Sequence, residues 1–453
     1  MLFEQFKTEG LSAYSYAVGC PGAGQIAIVD PERNIDRYVD FAEENGLRIT
    51  HVLETHIHAD YASGAHALAT RTGARLLISA YDKGETFEAS FPHEDLSDGD
   101  SFEIGPVRIE AVHTPGHTPE HMSFLVYDNL RSTDVPQLML SGDFLFVGSL
   151  GRPDLLGDEQ KLALAKKLFA SVRNKLPGLP DGLEIHPGHG AGSLCGAGLG
   201  GRAMTTLGFE RLANPYLDPS LTEEQFVDQI LGSSPEFPPY YVLMKALNAK
   251  GAAEFTPNVP AISPAEFKQR MDDGHFVIDI RDRTEFTGGH VPGSLASDPG
   301  KSLVVWASWL APPDKPLLLV AHDAADAENA ARVYARVGLD NTVGFLEGGV
   351  RAWQEAGFET GQQRWSTLDA LPEGTTVLDV RAISEFEEGH VDGAQLIFLG
   401  QLGARLDELP SRDTPIASIC KTGDRSTVAL SVLAQHGFTN LYNVTGGMVA
   451  LEA

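Results

Sequence analysis

In the first half of the chain, several strand-like segments end in loops that are rich in histidine or aspartate. The segments at residues 49–53, 107–112, 137–140 and 183–186 have the length and hydrophobic pattern of strands. The loops that follow contain ETHIHAD from Glu54, HTPGHTPEH from His113, SGD from Ser141 and PGHG from Pro187. A hydrophobic core does not require polar side chains at four strand ends. The pattern therefore indicates a functional site at one edge of an α/β fold.

The rest of the first half also has the hydrophobic patterns of strands and helices. Further strands are predicted at residues 14–18, 25–29, 74–79 and 122–127. Apolar residues at helical spacing predict helices at residues 34–45, 64–71, 158–174, 204–212, 221–231 and 240–248. Residues 249–260, with the sequence AKGAAEFTPNVP, have the composition of a linker.

The rest of the chain is a repeat. FVIDIR at residues 276–281 recurs as TVLDVR at residues 376–381, and GHVPG from Gly289 recurs as GHVDG from Gly389. A period of about one hundred residues predicts two copies of one small α/β unit. We therefore predict four segments: a first domain at 1–248, the linker at 249–260, and repeat domains at 261–360 and 361–453.

The two copies differ at one loop. The second copy has CKTGDRS from Cys420, between a predicted strand and a helix that begins near Ser426. Backbone N–H groups and a helix N-terminus at such a loop favour a thiolate or persulfide anion. The first copy has Ala321 where the cysteine should be and Asp326 where Arg425 should be. The first copy therefore lacks a nucleophile.

Composition excludes several classes of partner. The net charge of −28 argues against binding to a nucleic-acid backbone. The sequence has no apolar run of membrane length and no secretory signal, so we expect a cytoplasmic protein without a membrane partner. The three cysteines, Cys20, Cys195 and Cys420, do not form a disulfide framework and fit a reducing compartment.

The ETHIHAD loop points to a metal ion. His56, His58 and Asp60 lie within five residues, directly after a strand. Imidazole and carboxylate together suit zinc, iron or manganese.

The motifs HxHxD, PGHT, SGD and PGHG, in this order, resemble the metallo-β-lactamase family. The resemblance implies an αββα sandwich with metal at one edge. In the dinuclear members, a first site would use His56, His58, His117 and Asp143, and a second site Asp60, Tyr61, Asp143 and His189. Tyr61 stands where that family has histidine, and a phenol with a pKa near ~10 is a poor zinc ligand.

The persulfide dioxygenase branch of this family uses one iron, and the chain resembles it at GDFLF from Gly142 and GRPD from Gly151. That resemblance implies one Fe(II) per chain, held by His56, His117 and Asp143 with open coordination positions. The residues His58, Asp60, His189 and Tyr61 would then orient ligands or water without binding the ion. Cys195 lies in HGAGSLCG, similar to a run in bacterial fusions of this dioxygenase with sulfurtransferases, which implies contact with the persulfide.

VLDVR, ExxxGHxxG and CxxGxRS resemble rhodanese domains, with Cys420 as the sulfur carrier and Arg425 as the cation of the loop. The combined resemblance implies a bacterial sulfide-detoxifying fusion and, by analogy with related proteins, a homo-oligomer. Its first domain would oxidise a low-molecular-weight thiol persulfide with O₂ to sulfite and thiol. Cys420 would then form thiosulfate from sulfite, or run in reverse as a thiosulfate sulfurtransferase.

Two other interpretations of the sequence stay open. One is a dinuclear zinc thioester hydrolase of the glyoxalase II type with a rhodanese tail. The other is a sulfur-carrier protein without turnover, which would hold persulfide on Cys420 or Cys195.

Overall fold

The computed structural model describes residues 1–300 and 302–452, and it divides into two compact units. The first comprises Met1–Phe255 together with Ala335–Gly338, and the second comprises Thr256–Tyr334 and Leu339–Ala453. Ala453, the last residue of the predicted 361–453 domain, lies outside the described residues. The fold is α/β throughout, as predicted.

Two six-stranded sheets form the first unit. The first sheet has the order β1-β2-β3-β4-β5-β6 and contains Leu2–Thr8, Ala13–Cys20, Gln25–Val29, Arg48–Leu53, Arg75–Ser79 and Glu94–Leu96. The second has the order β12-β11-β10-β9-β8-β7 and contains, from β7 to β12, Ser101–Ile104, Val107–His113, Met122–Asp128, Leu138–Gly142, Glu184–Pro187 and Thr205–Thr206. The helices of this unit are α1 (Asp36–Glu44), α2 (Ala65–Thr72), α3 (Asp158–Lys175), α4 (Leu207–Ala213), α5 (Glu223–Gly232) and α6 (Tyr241–Lys250).

The core of the first unit lies in layers, because side chains alternate along each strand. Val29 and Leu53 from the first sheet pack with Phe124 and Leu140 from the second. The opposite face of β3 and β4 packs against α1 and α2, which is why these two strands have nearly continuous apolar sequences. Helices α3 and α5 cover the outer face of the second sheet. The functional loops after β4, β10 and β11 therefore leave strands whose last residues are buried on both faces, whereas β8 alternates between buried and half-buried residues.

Some elements of the first unit differ from the prediction. The pattern did not predict β1, β6 or β7, and residues 205–206, predicted as helical, form the strand β12. In β1 the phenylalanines are three residues apart and most side chains are half-buried, so the strand has no clear alternation. In the predicted linker, Ala249 and Lys250 complete α6, and Ala252 and Val259 are buried.

The two repeat copies have equivalent five-stranded parallel sheets in the second unit. The first copy has the order β13-β17-β16-β14-β15, and from β13 to β17 its strands are Ala261–Ile262, Phe276–Asp279, Leu295–Ala296, Leu317–Val320 and Thr342–Leu346. The second has the order β18-β22-β21-β19-β20, and from β18 to β22 its strands are Arg364–Ser366, Thr376–Asp379, Gln395–Leu396, Ile416–Ile419 and Leu441–Val444. The helices are α7 (Pro264–Asp272), α8 (Arg283–Gly288), α9 (Leu303–Leu310), α10 (Ala324–Ala335), α11 (Gly349–Glu355), α12 (Ile383–Glu388), α13 (Asp424–Gln435) and α14 (Val449–Glu452).

Each copy contains a buried ion pair at the end of the strand next to its central one, β14 in the first copy and β19 in the second. Nε of Arg381 donates to both carboxylate oxygens of Asp379, and Nη2 donates to Oδ2 and to the carbonyl of Gly389. The pair of Asp279 and Arg281 in the first copy makes the same contacts, except that Nε donates to Oδ1 alone. These pairs anchor the loop that precedes GHVPG or GHVDG. Among the residues described, no helix has the length and apolar character needed to cross a lipid bilayer.

We expect the buried pair of Asp379 and Arg381 to contribute more to the free energy of unfolding than an exposed ion pair does. Replacing Arg381 by Gln leaves the fully buried Asp379 carboxylate without its cation, and we expect the free energy of unfolding to fall by about 3 kcal/mol. The control Arg351→Gln removes an exposed pair with Glu355 and should change nothing measurable. Urea denaturation of both variants tests this, and equal effects would contradict it.

Candidate metal centre

Three ligand atoms meet at the edge of the sandwich where the functional loops lie. The Nε2 atoms of His56 and His117 lie 3.9 Å and 3.3 Å from Oδ2 of Asp143, and the side chains are fully buried. None of the three atoms has a hydrogen-bond partner among the described residues. Leaving even one buried polar atom unsatisfied costs about 1–3 kcal/mol. A cluster of two imidazole nitrogens and one carboxylate oxygen fits a bound cation.

The neighbours of both histidines leave their Nε2 lone pairs free for metal. The hydroxyl of Thr55 donates to Asp30, so its oxygen accepts the Nδ1–H of His56 at 2.9 Å. Nδ1 of His117 donates to the carbonyl of Arg152 at 2.8 Å. Burial lowers the pKa of His56 and His117 well below the usual value. Both rings are therefore neutral, which is the form that binds metal.

The backbone around Asp143 is held by His121 and by two glycines. The N–H of Asp143 donates to Nε2 of His121 at 3.0 Å, and burial lowers the pKa of His121 to about 3. Gly142 has a φ of +51°, and a Cβ there would lie 2.6 Å from Nε2 of His121. A Cβ at Gly188 would lie 2.5 Å from Oδ1 of Asp143. Gly142 of SGD and Gly188 of PGHG are thus required because neighbouring atoms approach their backbone too closely for any side chain.

His189 fixes the other oxygen of the Asp143 carboxylate. Its Nδ1 lies 2.7 Å from Oδ1 of Asp143, and its Nε2 lies 2.7 Å from Oδ2 of Asp60. Burial opposes protonation, but the charges of Asp143 and Asp60 outweigh it and raise the pKa of His189 well above the usual value. The two ring nitrogens of His189 thus bridge the carboxylates of Asp143 and Asp60. His189 thereby turns Oδ2 of Asp143 toward the histidine pair.

His58 and Tyr61 are bonded to each other rather than to the cluster. Nε2 of His58 lies 3.0 Å from the Tyr61 hydroxyl and 3.3 Å from Oδ1 of Asp30. The Tyr61 hydroxyl donates to the carbonyl of Asp30 at 3.2 Å, and burial raises the pKa of Tyr61 well above its usual value. A protonated phenol is a poor metal ligand. The sequence did not identify Asp30, whose φ of +53° places it in the left-handed region.

Cys195 lies beside this centre. Its Sγ is within 4.8 Å of ligand atoms of Asp60 and His189 and 3.8 Å from the Tyr241 hydroxyl. Burial, reinforced by the charges of Asp60 and Asp143, raises the pKa of the Cys195 thiol well above its usual value. The side chain is therefore a protonated thiol next to the His189 side of the centre.

Four hydrogen bonds to protein acceptors hold the guanidinium of the buried Arg152. Arg152 makes a bidentate ion pair with Asp154, at 2.6 Å and 2.7 Å, and donates to the carbonyls of Leu194 and Glu236. Its role is structural, because its own carbonyl holds His117.

Polar side chains of helix α6, which the sequence analysis did not identify, form hydrogen bonds with the backbone of the ETHIHAD loop. Nζ of Lys245 donates to the carbonyl of Ile57 at 2.8 Å, and the N–H of Ile57 donates to Glu120 at 3.0 Å. Nδ2 of Asn248 donates to the carbonyls of His58 and Tyr61 at 2.9 Å and 2.7 Å. The second half of the ligand loop, from Ile57 to Tyr61, is thus tied to one helix.

The structure shows that polar and apolar side chains of α6 face the opposite way from those of a usual amphipathic helix. Lys245 and Asn248 are buried, whereas Val242 and Leu243 are 50% and 46% exposed. In an amphipathic helix that covers an apolar core, the polar residues would face outward. The inverted pattern of α6 therefore indicates a polar target, which is the backbone of the ligand loop.

The Cys420 loop forms a second candidate site, in the second unit. Cys420 follows β21, and its Sγ accepts the N–H of Gly423 at 3.1 Å. Gly423 has a φ of +104° and precedes α13. Arg425 makes a bidentate pair with Glu385, at 2.6 Å and 2.7 Å. Arg425 thus joins the loop to α12.

The first copy has a glutamate, Glu285, at the position of Glu385, but it has no cysteine at the position of Cys420. Glu285 there bonds to His322 at 2.9 Å, and the other nitrogen of His322 lies 3.0 Å from Asp326. Hydrogen bonds to these two carboxylates raise the pKa of His322. Ala321 takes the place of the nucleophile, so this loop has no thiol.

We expect the hydrogen bonds from α6 to the ETHIHAD loop to increase the affinity of the centre for metal. Replacing Lys245 by Met leaves the carbonyl of Ile57 unpaired and removes a buried positive charge near Glu120. We expect metal affinity to fall about tenfold or more, as for other residues that orient ligand loops. Competition with a chelator measures this, and Lys250→Met, at the exposed end of α6, is the control. Equal affinities in the two variants would contradict the assignment.

Comparisons with known proteins agree with this architecture. Residues 8–189 match the metallo-beta-lactamase superfamily, and residues 263–356 and 365–453 each match the rhodanese-like domain. The solved structure of a metallo-beta-lactamase from Staphylococcus aureus subsp. aureus COL is 32% identical, with a TM-score of 0.69. The similarity covers 76% of this chain and 98% of that one.

Curated relatives of the first unit carry two different enzyme names. The mitochondrial persulfide dioxygenase ETHE1 of Homo sapiens is 28% identical over 222 residues, which cover 49% of this chain and 76% of that protein. A hydroxyacylglutathione hydrolase of Nitrosococcus oceani is 31% identical over 193 residues, which cover 42% of this chain and 66% of that protein. These names support an enzymatic function. With its metal-binding cluster and its two repeat copies, the chain belongs to the metallo-beta-lactamase superfamily and carries two rhodanese-like domains.

Proposed function

We propose that the protein is a non-haem iron persulfide dioxygenase coupled to a rhodanese sulfurtransferase. The observation that carries this proposal is the set of three unpartnered ligand atoms of His56, His117 and Asp143. Two imidazoles and one carboxylate with open positions suit Fe(II), which would supply the activation of O₂ next to a bound sulfur. The net reaction is RSSH + O₂ + H₂O → RSH + H₂SO₃. The persulfide relatives support the choice of substrate.

The residues around the centre support a single ion. The Nε2 of His58 is held by Tyr61 and Asp30, and both nitrogens of His189 are hydrogen-bonded to carboxylates. Neither ring presents a free Nε2 to a second ion, and the one unpartnered ring nitrogen of this pair among the described residues is Nδ1 of His58. The protonated thiol of Cys195 lies next to these groups and would donate a hydrogen bond to a sulfur of the substrate.

The second stage uses Cys420. A second thiol persulfide first loads Cys420: the Cys420 thiolate takes its outer sulfur, the S–S bond of the donor breaks, and the thiol leaves. The Cys420 persulfide then transfers this outer sulfur to sulfite: its S–S bond breaks, a new S–S bond forms in thiosulfate, and Cys420 leaves as the thiolate. The N–H of Gly423 donates to the sulfur and stabilises this leaving group. The same loop would run the transfer in reverse from thiosulfate.

A dinuclear zinc thioester hydrolase is the second candidate, and two observations favour it. Several relatives carry the name hydroxyacylglutathione hydrolase. In addition, Asp60, His189 and Cys195 form a second buried group whose ligand atoms lie within 4.8 Å of one another. Two zinc ions per chain together with thioester hydrolysis would select this candidate.

Oxygen uptake tests the proposal. We expect the purified protein to contain about one iron per chain by elemental analysis and to consume O₂ with glutathione persulfide or coenzyme A persulfide. His117→Ala removes a ligand and should abolish both iron binding and uptake. The control His93→Ala changes a partly buried histidine outside the metal cluster and should retain both. An iron-loaded protein that consumes no O₂ with either persulfide rejects the proposal.

The two stages should be separable. Cys420→Ser removes the sulfur carrier, so we expect thiosulfate formation to stop while O₂ uptake continues and sulfite accumulates. Cys20→Ser, at a half-buried thiol outside both sites, is the control. Chromatographic measurement of sulfite and thiosulfate distinguishes the products. Loss of O₂ uptake in the Cys420 variant would show that the stages are not independent.

A further inference from the structure

The first rhodanese-like copy, which lacks a nucleophile, contributes an arginine to the active loop of the second copy. Arg283 is the first residue of α8. Its Nη1 donates to the carbonyl of Thr422 at 3.0 Å and pairs with Oδ1 of Asp424 at 2.7 Å. Its guanidinium also lies 5.4 Å from the ring centre of Trp365. All three partners belong to the second copy.

These contacts surround the residue that touches the reactive sulfur. Thr422 and Asp424 flank Gly423, whose N–H donates to Sγ of Cys420 at 3.1 Å. The Thr422 hydroxyl donates to Oδ2 of Asp424 at 2.6 Å, so the two flanking residues are also joined to each other. A Cβ on Gly423 would lie 3.2 Å from both Nη1 of Arg283 and the ring of Trp365. Arg283 therefore packs directly against the turn that orients the N–H.

The equivalent position in the other copy has no such role. Ile383 occupies it and is 50% exposed. In the first copy, Asp282 caps α8 by accepting the N–H groups of Thr284 and Glu285 at 2.7 Å and 3.0 Å, whereas Ala382 in the second copy has no capping side chain. A cation at a helix N-terminus opposes the helix dipole. Helix stability therefore does not explain Arg283, but its contacts with the Cys420 loop do.

We propose that Arg283 is a positioning residue for sulfur transfer, through which the first copy holds the Cys420 loop and neutralises Asp424 for an anionic substrate. This proposal rests on the proposed sulfurtransferase function. Without Arg283, the carboxylate of Asp424 would stand uncompensated beside the loop and would repel sulfite or thiosulfate. The Thr422 carbonyl would also lose the donor that fixes the turn.

Thiosulfate and cyanide are suitable probes. Cys420 thiolate takes the sulfane sulfur of thiosulfate and releases sulfite, and cyanide then removes that sulfur as thiocyanate and regenerates the thiolate. In the full chain, Arg283→Gln should lower kcat/KM for thiosulfate about tenfold or more, the loss expected for one charge-assisted hydrogen bond. O₂ uptake should not change. Arg332→Gln, at an exposed arginine of the same copy, is the matched control.

Two further readouts separate positioning from a general structural effect. In an Asp424→Asn background, Arg283→Gln should cost much less, because its charge partner is absent. The pH–rate profile of Cys420 alkylation, followed by peptide mass spectrometry, should move to higher pH in Arg283→Gln. Arg283→Lys keeps the charge and should restore part of the activity, and it replaces the Gln variant if that variant does not fold.

The outcomes are distinct for the two proposals. A kcat/KM within twofold of the parent, additive effects of the two substitutions, or an unchanged alkylation profile would overturn the role of Arg283. If the parent chain transfers no sulfur through Cys420, the proposed function fails instead. The alkylation profile still tests the positioning of the loop in that case.

Discussion

The buried carboxylate of Asp143 sets the main constraint on the first unit. With no exposed surface, this charge must be balanced on both oxygens by neighbouring groups. His189 supplies a proton donor to Oδ1, and Oδ2 faces the free nitrogens of His56 and His117. The loops after β4, β8, β10 and β11 must therefore meet at one point. The glycines at positions 142 and 188 allow the backbone to approach closely enough.

The surrounding hydrogen bonds set the protonation of each ring in the centre. A hydroxyl or a carbonyl accepts from Nδ1 of His56 and His117, so their Nε2 atoms remain available. The carboxylates of Asp60 and Asp143 lie 2.7 Å from the two ring nitrogens of His189, and their charges raise its pKa. One fold can thus place several similar side chains together and give them different roles. Placement alone would not distinguish a mononuclear from a dinuclear centre.

The second unit divides its roles between two similar copies. Both keep the same strand order and the same buried aspartate–arginine pair, so the fold does not depend on the nucleophile. Only the second copy has a thiol at the end of its central strand. The first copy has Ala321 at that position, yet its Arg283 contacts the turn beside Cys420. The absence of that thiol therefore does not make the first copy a passive spacer.

The sequence alone determined the α/β class, the repeat, most strands and helices, and the loops that carry the chemistry, because these follow from local patterns. It also indicated His56, His117 and Asp143, through a resemblance carried by short motifs. The roles of Asp30, Lys245, Asn248 and Arg283 required the tertiary structure. Ile57 and Lys245 are 188 residues apart in the chain, and Arg283 and Thr422 are 139 apart. Contacts at such separations depend on how completed helices and strands pack against each other. A local sequence pattern therefore does not determine which buried histidine nitrogen is left without a hydrogen bond and is free to bind a metal ion.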